Sequence, residues 1–239
     1  MSSLLKRWRT SLPAQELKNL LKILFASRRN MDRSNAESME EVRRTGKELT
    51  IVLHGIFESY YRNMAPLVFF LKRQGLCVVS VGYNYNTNLK GQAEEIAWAI
   101  DRIMRETQVT KINLVGRSLG GAVARYYTEA MRNQEKLHKI VTIFTPISVK
   151  QSVGTIAYRM EMILGGKENK SFQESEEIEG LFTVKNYLAL YGFDDRIVGN
   201  QYPTVLPIRQ QGVPGGHVLS AYNPYIMEAV CAYLKEPTD

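Results

Sequence analysis

Cysteine, histidine and tryptophan are scarce in this chain of 239 residues, which has two, three and two of them, and no long unbroken apolar run occurs. Cys77 and Cys231 are too few for a disulfide framework. Each sits in an apolar stretch, so both are expected as buried thiols, which fits a reducing compartment. The missing apolar run excludes a membrane-spanning helix, which needs about 20 such residues. No internal repeat is present, which excludes a repeat architecture. Acidic residues are outnumbered by basic ones, and the net charge is +7. That excess is local. Residues 1–33 carry eight Lys or Arg against two acids, or +6, and the remainder carries only +1. The basic segment is short and the rest nearly neutral, which argues against nucleic-acid binding.

What is present reads as one α/β domain behind an N-terminal extension. Hydrophobic residues make up 44% and charged residues 23%, ordinary values for a globule of this size. Leu17, Leu20, Leu21, Leu24 and Phe25 recur at helical spacing, with Pro13 and Glu16 at the start and Arg28-Arg29 at the end. This basic amphipathic helix has two natural resting places, an anionic membrane surface or the exterior of its own domain. Lys18 and Lys22 interrupt any signal-peptide core, so a cytoplasmic protein is expected, with residues 1–33 as its point of peripheral membrane contact. Residues 30–48 are polar and read as a linker, which makes 1–48 an extension and 49–239 the domain.

From Leu49 strand and helix patterns alternate. Strands are expected at 49–53, 76–81, 111–115, 139–144, 184–191 and 203–208, and helices at 60–74, 91–106, 119–133 and 220–235. Such alternation implies a mostly parallel sheet of about six strands with helices on both faces. Residues 147–182 interrupt it. Val153, Ile156, Met160 and Ile163 share one helical face there, and a charged run from Lys167 to Gly180 follows. Long insertions in compact domains are often functional, the bland alternative being a helix at the sheet edge.

The most informative motif is Gly116-Arg117-Ser118-Leu119-Gly120-Gly121, directly after the apolar run Ile112–Val115. A strand running into G-x-S-x-G and then a helix is the layout of a nucleophile elbow, where a strained turn presents the serine and leaves no room for side chains at the glycines. Its partners follow in the order acid, then histidine. Of the three histidines, His54 and His138 precede the serine or adjoin the next strand. His217 lies late, in a loop with Pro214, Gly215 and Gly216, and suits a general base. After the strand ending at Tyr191, Asp194 and Asp195 are both available as the acid that orients the imidazole. Asp195 is preferred because Ile197-Val198 can anchor its loop. Glu174, Glu176, Glu177 and Glu179 have no strand before them. Oxyanion donors are expected at the N–H of Leu119 and, after the first strand, the N–H of Ile56, with His54 packing that turn. Arg117 fits either an acidic group of a substrate or a local ion pair.

Together these segments resemble the α/β-hydrolase superfamily, and within it the small bacterial triacylglycerol lipases and esterases. The turn His54-Gly55-Ile56, the elbow around Ser118, Asp195-Arg196-Ile197-Val198 and the loop around His217 are similar to that group's motifs, over about residues 49–235. The third match is a second reason for Asp195. The chain departs from the pattern with Arg117 where many lipases have histidine, and with Phe57-Glu58-Ser59 after the oxyanion turn. The resemblance implies the α/β-hydrolase fold, an insertion that caps the site, and a serine hydrolase of ester or lipid substrates. It requires neither metal nor organic cofactor. Two alternatives remain: an acyltransferase with the same three side chains, and a non-catalytic binding or membrane-docking protein on the same scaffold.

Overall fold

Strand β1 (Leu49–Leu53) is buried at every position, because its apolar, partly β-branched sequence is covered on both faces. It lies within a six-stranded sheet whose pairings are all parallel, in the order β2-β1-β3-β4-β5-β6. The other strands are β2 (Cys77–Val81), β3 (Ile112–Arg117), β4 (Leu137–Ile143), β5 (Tyr187–Gly192) and β6 (Arg209–Val213). The computed structural model describes residues 27–56, 58–146, 174, 181, 183–198 and 208–238. The amphipathic segment at 13–25 and the helical face at 153–163 lie outside them.

Helices cover the sheet in two layers. Helix α2 (Ala65–Arg73) and helix α5 (Pro224–Lys235) pack Leu67, Val68, Leu71, Ile226 and Val230 against Val52, Val115, Val141 and Leu188. On the opposite face, α3 (Leu89–Thr107) and α4 (Leu119–Glu129) pack Ile96, Ile100, Val123 and Tyr127 against Ile51, Ile112 and Leu114. Alternate residues of each strand thus serve alternate layers. The two helices α2 and α5 start later than their apolar patterns suggest, at 65 rather than 60 and at 224 rather than 220. Proline belongs in the first helical turn, and Pro66 and Pro224 mark those starts.

The segment 30–48 corrects the linker reading. Residues Arg28–Thr45 form helix α1, capped by the Ser27 hydroxyl at one end and by left-handed Gly46 at the other. It lies along β2. Met31 and Val42 are buried, Lys72 Nζ donates to Ser34, and the Asn35 amide exchanges two 2.9 Å hydrogen bonds with the backbone of Ser80. Ser38 Oγ accepts the N–H of Val78 at 3.3 Å. The sixth strand also differs. Residues 201–207 lie outside the described residues, and β6 occupies Arg209–Val213, part of which reads as loop in sequence. An outer strand with polar Arg209, Gln210 and Gln211 lacks the apolar signature of the central ones.

Candidate active site

Ser118 stands between the last residue of β3 and the first of α4, with φ 51° and ψ −122°. Non-glycine residues rarely adopt positive φ, and the cost is met by the surrounding bonds. The Ser118 N–H donates to Ile143 O at 2.8 Å, and its carbonyl accepts from Gly121 N–H and Thr145 Oγ1. The turn is tight enough that a Cβ on Gly116 would strike the Gly120 carbonyl, and one on Gly120 would come within 2.5 Å of the His54 carbonyl. These contacts explain the glycines of the motif.

The strand ends deliver the other groups to the same rim. His217 opens a short 3₁₀ turn (His217–Tyr222) after β6. Its Nε2 lies 2.9 Å from Ser118 Oγ, and its Nδ1 lies 2.8 Å from Asp195 Oδ2. Asp195 Oδ1 accepts the N–H groups of Ile197 and Val198 at 2.9 and 3.0 Å. All three side chains are buried, and the Phe144 ring lies against the imidazole at 6.1 Å between centroids. Asp194, the other carboxylate open in sequence, is exposed. Three polar side chains drawn from positions 118, 195 and 217 thus form one continuous hydrogen-bonded row.

The turn after β1 completes the rim. His54 is buried and stacks on Tyr83 at 4.5 Å, while the Tyr83 hydroxyl donates to the His54 carbonyl at 2.6 Å. Burial lowers the pKa of this imidazole, although its contact with the Gly55 carbonyl pulls the other way. The N–H of Gly55 donates to Glu58 Oε2 at 2.7 Å. Among the described residues no acceptor takes the N–H of Ile56 or of Leu119. Leu119 is the first residue of α4, whose leading N–H groups have no partner within the helix. Ile56 is 40% exposed at the site's edge.

The remaining sequence candidates lie elsewhere. His138 Nδ1 contacts Glu48 at 2.8 Å, at the start of β4 and so at the far end of the sheet. Glu174 accepts from Asn88 Nδ2 and from the Lys90 N–H at the start of α3. Glu176, Glu177 and Glu179 are outside the described residues. Of the two roles open to Arg117 in sequence, the structure shows the local ion pair. Arg117 is buried, and Glu58, Ser220 and the His217 carbonyl surround its guanidinium. Burial draws its pKa down to about 10, against the opposing pull of the Asp195 carboxylate. Glu58 and Ser220 went unread as site residues, and the adjacency of Glu58 to one motif and Arg117 to another was the available signal. Among the described residues, no group of three or more His, Cys, Asp and Glu gathers as a metal site would require.

A sequence model of the alpha/beta hydrolase fold family matches residues 50–219. The chain belongs to the α/β-hydrolase family. No curated protein sequence matches this α/β-hydrolase. Among solved structures it is similar to an esterase from Pyrobaculum calidifontis, with TM-score 0.60 and 15% identity over 86% of this chain and 91% of that one. It is also similar to a monoacylglycerol lipase from Paleococcus ferrophilus, with TM-score 0.54 and 16% identity over 77% and 94%. Epoxide hydrolase A from Mycobacterium thermoresistibile gives TM-score 0.56 and 12% identity over 80% and 92%. At these identities the likeness is one of fold, and the third structure illustrates that one fold hosts different chemistries.

Proposed function

We propose that this α/β-hydrolase cleaves carboxylic esters, with small ester or lipid molecules as substrates. The observation that carries the reading is the hydrogen-bonded row from Ser118 Oγ through His217 to Asp195, at 2.9 and 2.8 Å. These are the distances over which a proton moves between heavy atoms. In this reading Ser118 Oγ attacks the ester carbonyl while His217 Nε2 takes its proton. Asp195 holds the Nδ1–H and stabilises the imidazolium that forms. The tetrahedral oxyanion is met by the N–H groups of Leu119 and Ile56, and the dipole of α4 points its positive end at the same place. His217 returns the proton to the leaving alcohol. Water, activated by the same imidazole, then releases the acid from the acyl-enzyme.

The two carboxylates open in sequence differ in what they can do here. Asp195 is buried against the imidazole, whereas Asp194 is exposed, which supports Asp195 in the orienting role. An esterase and a lipase are among the structures of like fold, so the scaffold is compatible with ester cleavage.

The test is labelling with a fluorophosphonate probe together with hydrolysis of p-nitrophenyl esters of graded chain length. The parent chain should label and turn over. Ser118→Ala should lose labelling and at least about a thousandfold in turnover. A variant that keeps its esterase activity would remove the assignment.

A further inference from the structure

We propose that Arg117 is a positioning residue that locks the base-bearing turn and the oxyanion turn to the serine as one unit, with Glu58 as its counter-ion. The proposal rests on the esterase reading above. Arg117 directly precedes Ser118, and its guanidinium reaches in three directions. Nη1 pairs with Glu58 Oε1. Nε donates to Ser220 Oγ at 2.5 Å, and Nη2 donates to the carbonyl of His217 at 2.5 Å. The first partner belongs to the turn after β1, and the other two to the 3₁₀ turn that carries the imidazole. Glu58 extends the tie, because its second oxygen accepts the N–H of Gly55. With that N–H occupied, Ile56 is the next donor along the turn. Three segments, 59 and 100 residues distant from Arg117 or adjoining it, therefore share one planar cation.

The choice of side chain fits the task. Guanidinium holds several donors in a fixed plane and keeps its charge when buried, whereas a lysine ammonium is a single point on a flexible stem. Burial also separates this role from substrate binding, since Arg117 is 4% exposed and each of its three guanidinium nitrogens meets a protein oxygen. A buried ion pair of this kind adds little net stability, because desolvation of both charges offsets their attraction. What it supplies is relative placement. Catalytic groups displaced by about 1 Å lose up to about a hundredfold in rate.

The experiment uses the full chain and four variants: Arg117→Lys, Arg117→Ala, Glu58→Gln and Ser220→Ala. Near-ultraviolet circular dichroism and thermal midpoints establish which of them fold. Steady-state hydrolysis of p-nitrophenyl butyrate then separates kcat from KM. Folded Arg117→Lys and Glu58→Gln should lose roughly ten- to a hundredfold in kcat with KM changed by less than about threefold. Guanidinium ion at millimolar concentration should restore part of the kcat of Arg117→Ala and none of that of Ser118→Ala. Should Arg117→Ala not fold, Glu58→Gln and Ser220→Ala, which each remove a single partner, carry the test. Folded variants with kcat within about twofold of the parent, or with the whole effect in KM, would overturn the positioning role. A parent chain that neither labels with fluorophosphonate nor hydrolyses any ester would instead overturn the esterase reading on which it rests.

Discussion

Asp194 and Asp195 are neighbours in sequence and opposites in setting. Asp195 is buried, accepts two backbone N–H groups and touches the imidazole, while Asp194 faces solvent. Asp195→Asn should lower kcat by about 10⁴, since an amide stabilises the wrong tautomer. Asp194→Asn should leave kcat within about twofold, and steady-state kinetics on both variants checks the pair. His54 makes a second prediction at this scale. Its pKa is lowered in the folded chain by burial, so the folded state prefers the neutral ring. Stability from this group is complete above about pH 6.5, the ordinary value for histidine, and is lost as pH falls below that toward the depressed folded value. Thermal midpoints should drop between pH 7 and 5, and His54→Gln should flatten that limb. Ser118, Asp195 and His217 were legible because each sits in a local turn whose glycines or flanking apolar residues advertise it. The partnership of Arg117 with Glu58 was not, because it is made across 59 residues of chain, and adjacency to two separate motifs does not by itself pair them.

At the level of elements, the central strands were readable to within about three residues because both of their faces are apolar. Helix α1 was unreadable for a definite reason. Its inward face is Met31, Ser34, Ser38 and Val42, so two of the four buried positions are serine and the hydrophobic period is broken. Those serines are buried with partners: Ser34 accepts from Lys72, and Ser38 from the Val78 N–H. The helix is therefore held partly by polar matching, with Met31 supplying the main apolar anchor at 0% exposure. Met31→Ala should cost about 2–5 kcal/mol, the usual range for emptying a buried methionine site. Urea unfolding followed by circular dichroism measures it, and a loss below 0.5 kcal/mol would show that α1 is not an integral layer of the domain.

For the whole molecule, the parallel layout was legible from alternation, but the strand order was not. Order follows from which crossover folds back on which side, and a single chain of alternating elements does not record that. The order sets two outer margins. β6 presents Arg209, Gln210 and Gln211 at one, and β2 lies at the other. In a parallel strand alternate residues direct their peptide groups outward, and on β2 both Val78 and Ser80 are met by α1. Asn35 thereby acts as a one-residue surrogate for a seventh strand, and its amide satisfies a peptide group that would otherwise recruit a foreign backbone. Replacing Asn35 and Ser38 together by alanine should turn that margin into a template for sheet growth between molecules. Light scattering and size-exclusion chromatography over a concentration series should then show larger species than the parent forms. The polar helix that looked like a tether is, on this view, a guard against aggregation.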